Sequence, residues 1–226
     1  MPRSSGVRRI IETLVSQPRT YDKFEIVADA TVHLAGIAVA LIAGSALLAY
    51  TAFGSAREHL PALLLYVASL LGVLSVSLAF NLWPVTAVKS YLARLDQAAI
   101  FLFIAGTYTP FLAVLDRTPM ATLMMVLVWG LAIVGIALKL FVPHRFGRIA
   151  ILLYLAIGWS GLLIFQNLSA SISSAALLLL VAGGLAYSFG IIFHLWQRLR
   201  FHNALWHLAV VTGASLHLGA VFHALG

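Results

Sequence analysis

Residues 26–50 read IVADATVHLAGIAVALIAGSALLAY, a run of 25 residues dominated by apolar side chains. A helix needs about 20 such residues to cross roughly 30 Å of hydrocarbon, so this run is long enough to span a bilayer. It is also longer than the core of a signal peptide, which has roughly 7–15 apolar residues. The pattern therefore predicts a retained transmembrane helix in this region.

The composition of the whole chain is that of a membrane protein. Of its 226 residues, 62% are hydrophobic and 9% are charged, and the mean hydropathy is +1.02. A soluble domain carries about 25% charged residues, so an apolar excess of this size requires lipid as its solvent. The absence of cysteine excludes disulfides, thiolate metal sites and cysteine nucleophiles.

Six further apolar segments follow the first, each near the length of one membrane span. Turn residues or charges separate them, which predicts an all-α membrane protein with seven transmembrane helices and no soluble domain. We assign residues 1–24 to a cytoplasmic N-terminal tail and residues 25–226 to the transmembrane domain. The expected spans cover approximately residues 26–50, 61–83, 95–115, 119–141, 148–167, 174–196 and 203–225.

The distribution of basic residues predicts the orientation. The N-terminal tail and the second, fourth and sixth connections hold 12 of the 14 Lys and Arg residues, whereas the other side holds only Arg57 and Arg117. Under the positive-inside rule, the N-terminus is then cytoplasmic and the C-terminus lies outside. This orientation argues against a G-protein-coupled receptor, and the lack of lysine in the last span argues against a retinal protein.

The net charge of +7 has the same explanation. The basic residues lie at the ends of apolar segments and form no continuous basic face, so we expect membrane lipids as partners and no nucleic acid.

Polar residues of four predicted helices converge at one depth, close to the cytoplasmic boundary. The first helix carries three of them at four-residue spacing, which places them on one face. Polar groups inside a bilayer are costly, so their convergence indicates a site. We name this set the polar cluster; it comprises Glu25, Asp29, His33, Ser77, Asn81, Asp96, Gln97, His202, Asn203 and His207.

Several members of the polar cluster also have a purely structural interpretation. Glu25 suits the first turn of a helix, where an acid complements the helix dipole. Asp96 suits the cap of the third helix, and His33 could bond a neighbouring carbonyl or hydroxyl. Asp29 is harder to explain in this way, because it lies a full turn inside an apolar helix.

Several segments of the chain resemble bacterial hemolysin III proteins, which belong to the progestin and adipoQ receptor family. The similarity covers nearly the whole chain in order. The segments that carry it are residues 31–36 (TVHLAG), 95–100 (LDQAAI), 104–111 (IAGTYTPF), 183–190 (GGLAYSFG) and 204–207 (ALWH), together with Glu25 and the region from residue 139 to residue 159.

The resemblance implies seven helices, a cytoplasmic N-terminus and a zinc ion held by three histidines near the cytoplasmic face. In this family one histidine ends a Ser-x-x-x-His motif and two form a His-x-x-x-His pair. Ser77 and His207 match those motifs, but Asn81 and Asn203 stand at the other two ligand positions. An amide oxygen is a far poorer zinc ligand than imidazole, so the family's zinc centre is expected to be impaired.

Two further positions bear on the implied chemistry. Asp96 matches the family aspartate that supports a zinc-bound water, which with Ser77 gives the candidate catalytic residues. Asp29 occupies a position where relatives usually have asparagine, and the resemblance implies hydrolysis of amide bonds in ceramide-like lipids. Asp29, His33, His207 and His202 could together rebuild a metal site from the same depth.

Three functional hypotheses follow. The first is a hemolysin III-type protein of the bacterial inner membrane, channel-like, cytolytic or lipid-responsive, with an impaired zinc site and no cofactor. The second is a metal-dependent lipid hydrolase, similar to a ceramidase, that uses zinc at the rebuilt site. The third is a proton or ion relay through Glu25, Asp29, Asp96 and His207, since a polar residue inside the membrane often marks such a path.

Overall fold

The computed structural model describes residues 21–115, 118–142 and 147–225. In these ranges the chain forms seven helices that are long and apolar enough to cross a membrane, which confirms the predicted fold class. They are α1 (Lys23–Phe53), α2 (Leu60–Leu82), α3 (Ala87–Ala113), α4 (Pro119–Phe141), α5 (Gly147–Trp159 and Phe165–Ser171, joined by the 3-10 segment Ser160–Ile164), α6 (Ser174–Leu195) and α7 (His202–Leu225).

Several helices extend beyond the ends of the spans expected from hydropathy. The start of α3 was predicted at residue 95, but the helix begins at Ala87 and includes Lys89 and Arg94. These charged side chains lower the local hydropathy without ending the helix, because α3 is about 40 Å long and extends beyond the hydrocarbon. Asp96 consequently lies in the third turn of α3, so the interpretation of this residue as a helix cap was wrong.

The boundary between the fifth and sixth spans also differs from the expectation. The fifth span was expected to end at residue 167, but the last helical part of α5 continues to Ser171. The irregularity lies earlier, in the 3-10 segment Ser160–Ile164. The Tyr108 hydroxyl of α3 compensates for it, because it accepts a hydrogen bond from the Gly161 N–H (2.6 Å) and lies 2.9 Å from the Ile157 carbonyl oxygen. Irregular backbone inside a membrane requires such partners.

The surface of the bundle is apolar on the sides that would face lipid. Large hydrophobic side chains are freely exposed there, including Ile42, Leu152 and Leu178. Exposure of this kind is unfavourable in water and neutral in lipid, which agrees with the composition.

The first and last helices are neighbours, and this contact builds the site. α7 packs against both α6 and α1, while α1 also packs against α2. Gly36 allows the close approach of α1 and α7, because a Cβ atom at this position would lie 2.6 Å from the Val211 side chain. The N-terminal ends of α1 and α7 therefore present their side chains to each other. The proposed tail, residues 1–24, lies mainly outside the described ranges, as do parts of the third and fourth connections.

Candidate metal centre

The first turns of α1 are fixed by a capping box. The Asp22 carboxylate accepts the Glu25 N–H (2.9 Å), and the Glu25 carboxylate accepts the Asp22 N–H (3.1 Å). The hydrogen bond from the Glu25 backbone, helped by Arg200, lowers the pKa of Asp22 below its usual value. From this start the four-residue spacing places Glu25, Asp29 and His33 on the buried face of α1, where Asp29 is 3% exposed.

A chain of hydrogen bonds connects α1, α7 and α2 on this face. The Asp29 Oδ1 atom lies 2.5 Å from Nδ1 of His207, and Nε2 of the same imidazole lies 3.3 Å from the Ser77 Oγ atom. All three side chains are buried. Because a carboxylate can only accept, Nδ1 of His207 donates this bond, and in the neutral imidazole Nε2 keeps its lone pair.

His33 has the same tautomer. Its Nδ1 atom lies 2.9 Å from the Asp29 carbonyl oxygen, which can only accept, so Nδ1 donates and Nε2 keeps its lone pair. The structural interpretation of His33, a bond to a neighbouring carbonyl, therefore describes one of its two nitrogens. The other nitrogen, Nε2, is buried and has no hydrogen-bond partner among the described residues. The imidazole rings of His33 and His207 are 4.2 Å apart between centroids.

Asp29, His33 and His207 form a group that could hold a metal ion. Each offers one ligand atom, and these atoms lie within 4.8 Å of one another. Two buried atoms of the group, Asp29 Oδ2 and His33 Nε2, make no hydrogen bond to any residue that the structure describes. Buried polar atoms without partners are costly, and a cation would satisfy both. Two imidazoles and one carboxylate are a known ligand set for zinc with one open position.

The two asparagines lie beside this group and bond to each other. Asn203 donates from Nδ2 to the Asn81 Oδ1 atom (3.0 Å), and Asn81 donates from Nδ2 to the Ser77 carbonyl oxygen (2.9 Å). Both are half-buried. The hydrogen bonds of the two asparagines are therefore made without a metal ion. In the more deeply buried group, Asp29 and His33 each keep one side-chain atom without a partner among the described residues.

The remaining predicted site residues of α3 have separate surroundings. The half-buried Asp96 carboxyl is close enough to Ser77 and His207 to interact electrostatically with both, so it borders the metal group. Gln97 instead accepts a hydrogen bond from Lys139 (2.8 Å) and is exposed. It therefore lies on a different side of α3 from Asp96.

Two other members of the polar cluster connect the ends of α1 and α7 and do not join the metal group. The Tyr21 hydroxyl lies 3.2 Å from Nε2 of His202, so this histidine faces the N-terminal end of α1. The Glu25 carboxylate accepts the Phe201 N–H (3.1 Å). Of the four residues from which we expected a rebuilt metal site, the group found in the described part of the chain contains Asp29, His33 and His207 and not His202.

Lys139 and Tyr21 were not among the site residues expected from the sequence. Lys139 is 3% exposed, although it lies within α4 and carries a charge. An isolated lysine near the end of an apolar helix could have identified it, because such residues are expensive in a membrane unless paired. Tyr21 gave no signal, since it precedes the first span and its contact with His202 is set by the packing of α1 on α7.

Comparisons with known proteins agree with the resemblance seen in the motifs. The pattern of the family described as Haemolysin-III related matches residues 25–218. The chain is 35% identical over 192 residues to a Hemolysin-3 homolog of Bacillus subtilis, which covers 84% of this chain and 90% of that protein. It is 36% identical over 176 residues to Hemolysin-3 of Bacillus cereus, with 70% of this chain and 80% of that protein covered.

A more distant similarity extends to animals. The human monocyte to macrophage differentiation factor is 29% identical over 128 residues, or 56% of this chain and 52% of that protein. The family match, the two bacterial relatives and the seven apolar helices lead to one conclusion: this chain is a multi-pass membrane protein of the hemolysin III family.

Proposed function

We propose that the protein is a metal-dependent membrane protein in which Asp29, His33 and His207 hold one divalent ion, zinc, and that this centre hydrolyses an amide-linked membrane lipid. The observation that carries the proposal is the meeting of three buried ligand side chains from α1 and α7 within 4.8 Å. The proposal places the protein in the bacterial inner membrane with this centre on the cytoplasmic side, as the basic residues predict.

The ligand chemistry supports zinc at this position. His33 keeps a lone pair on Nε2, because its Nδ1 atom faces the Asp29 carbonyl oxygen. His207 would bind the ion through Nδ1, the atom that faces the Asp29 carboxylate, and its Nε2–H would then face the Ser77 hydroxyl. Such orientation of the second nitrogen by an oxygen is usual for metal-binding histidines. Asp29 supplies a carboxylate in place of the imidazoles that the family has at the positions of Asn81 and Asn203. The ion would then be held from α1 and α7, without a ligand from α2.

The surroundings of the centre support hydrolysis. A zinc ion with three protein ligands can lower the pKa of a bound water to about 7 and polarise a substrate carbonyl. Asp96 borders the centre with a carboxyl that can accept or donate a proton at its oxygen atoms. Ser77 offers a hydroxyl 3.3 Å from Nε2 of His207, where it can orient a polar substrate group. The half-buried Asn81 and Asn203 lie one turn nearer to the ends of α2 and α7 than Ser77 and His207.

Metal analysis of the detergent-purified protein tests the binding part. We expect one zinc per chain in the wild type, and much less in Asp29→Asn, His33→Gln and His207→Gln. His59→Gln is the matched control, because His59 lies at the opposite end of the bundle, before α2. Equal zinc in the control and in the three variants would refute the assignment of ligands.

Lipid turnover tests the catalytic part separately. A ceramide-type substrate in mixed micelles should release fatty acid with the wild type, and a chelator should stop the reaction. Asp96→Asn should lose turnover while retaining zinc. Ser77→Ala should also lose turnover, with zinc affinity lowered about tenfold, because its hydroxyl bonds to the ligand His207. If zinc binds but no fatty acid appears with any amide-linked lipid, the hydrolase assignment fails and the metal site stands.

A proton relay is a second candidate, because Asp29, His207 and Ser77 form a continuous hydrogen-bonded chain across three helices. Proteoliposomes with an internal pH indicator test it. Proton flux that disappears in Asp29→Asn would support a relay, and no flux above that of empty liposomes would exclude it. Leakage of a larger dye in the same liposomes tests the channel-like and cytolytic alternatives.

A further inference from the structure

The start of α7 adopts an unusual backbone conformation. Phe201, the residue before α7, has φ 61°, in the left-handed region that favours glycine. Its carbonyl oxygen accepts the Leu205 N–H (2.9 Å), so this residue begins the hydrogen-bond ladder of α7. A phenylalanine side chain has no oxygen with which to cap a helix. The conformation therefore has to be held from outside α7.

The Glu25 carboxylate of α1 provides a hydrogen-bond acceptor that fixes the backbone at Phe201. Its Oε1 atom accepts the Phe201 N–H (3.1 Å), while its Oε2 atom accepts the Asp22 N–H (3.1 Å). The carboxylate is buried, at 7% exposure, and lies at the N-terminal end of α7, where a negative charge is favourable. The Glu25 side chain thus connects the capping box of α1 to Phe201, whose carbonyl oxygen accepts a hydrogen bond from the first turn of α7.

This junction has a direct relation to the metal centre. Asp29 follows Glu25 by one helical turn of α1, about 6 Å along the axis, and His207 follows Phe201 by six residues of α7, about 9 Å. Both ligand-bearing helices therefore run from the same fixed point to the same group of ligand atoms. A change in the backbone at Phe201 would rotate or shift the first turns of α7 and move the imidazole of His207 away from Asp29.

We propose that Glu25 is a positioning residue for the metal centre: by holding Phe201 in the left-handed conformation, it sets the register of α7 that brings His207 to Asp29 and His33. The inference rests on the proposed metal function and deepens it. The neighbouring Arg200–Asp22 ion pair (3.2 Å) is exposed and contributes less, because water screens it.

A rescue experiment tests this assignment. Glu25→Ala should weaken zinc binding about tenfold, in the range usual for groups that orient ligands. Glu25→Gln keeps one acceptor oxygen and should lose less. Glu25→Ala combined with Phe201→Gly should recover most of the affinity, because glycine adopts positive φ without help. Glu58→Ala is the control, since this acid is exposed and lies beyond the other end of α1.

Hydrogen exchange at the amides of residues 203–207 provides a readout that does not require metal. Exchange should be faster in Glu25→Ala than in the wild type and slower again in the double variant. If the wild type binds zinc and Glu25→Ala binds it equally, or Phe201→Gly gives no recovery, the positioning role is refuted. If the wild type binds no zinc, the proposed function fails, and unchanged exchange in Glu25→Ala would then also refute the hold on α7.

Discussion

The substitution Asp29→Asn isolates the carboxylate on which the proposed centre depends. It changes one oxygen to an amide nitrogen with little change in volume, and it restores the residue that the family resemblance implies at this position. In the structure Asp29 is 3% exposed, and its Oδ1 atom is 2.5 Å from Nδ1 of His207. The carboxylate therefore accepts from His207 in the metal-free protein, and it would bind the ion beside that nitrogen when metal is present.

Loss of this carboxylate should therefore change two quantities, the zinc affinity and the stability of the metal-free protein. Loss of an orienting group outside the ligand set costs about 10–100-fold in metal affinity, so loss of a charged ligand should cost about 100-fold or more. Without metal, a hydrogen bond to a charged group contributes about 1.5–3 kcal/mol. An asparagine oxygen can still accept from Nδ1 of His207, so we expect a loss of stability near the lower value, about 1.5 kcal/mol.

Both quantities can be measured in detergent. Zinc titration against a competing chelator gives the affinity, and thermal unfolding with excess chelator gives the stability of the metal-free form. Glu58→Gln is the matched control, because it removes an exposed carboxylate by the same chemical change. Zinc affinity in Asp29→Asn within threefold of the wild type would refute the role of Asp29 as a ligand.

Three further predictions concern other parts of the molecule. The double substitution Asn81→His with Asn203→His should raise zinc affinity and make it independent of Asp29. Zinc titration of this double variant with and without Asp29→Asn measures both effects. Unchanged affinity would show that these positions do not face a metal. Gly183→Ala should destabilise the protein by about 1–3 kcal/mol in thermal unfolding, because its Cβ would overlap the His217 ring. Because the pKa of Asp22 is lowered in the folded state, its contribution to stability is present above pH 3.8 and is lost as the pH falls below that value. Asp22→Asn should remove this part of the acid dependence of stability. Unfolding curves of both proteins between pH 3 and 6 would check it.

Hydropathy was sufficient to predict the seven helices, because each must satisfy its own backbone in lipid. It could not give their ends. Lys89 and Arg94 lie in the first turns of α3, which continue past the hydrocarbon, so the drop in hydropathy came about two turns inside the helix. The 3-10 segment of α5 also gave no sequence signal, because its partner, the Tyr108 hydroxyl, comes from α3.

The candidate site, too, could be predicted from the sequence only in part. Four-residue spacing was enough to place Asp29 and His33 on one face of α1. Which helix that face meets depends on close packing at Gly36, a tertiary contact that no local pattern reports. The choice between His202 and His207 followed from the same packing, since α7 turns His207 towards Asp29 and His202 towards Tyr21. The bond between Asn81 and Asn203 likewise joins two helices that are distant in the sequence.

Anomalous diffraction at the zinc edge from crystals of the wild-type protein would locate the bound ion. We expect one strong peak bounded by Asp29, His33 and His207, with nitrogen and oxygen ligands at about 2.0–2.2 Å. A crystal soaked in chelator should lose the peak and keep the fold. A peak between Asn81, Asn203 and His207, or no peak in crystals supplied with zinc, would contradict this expectation.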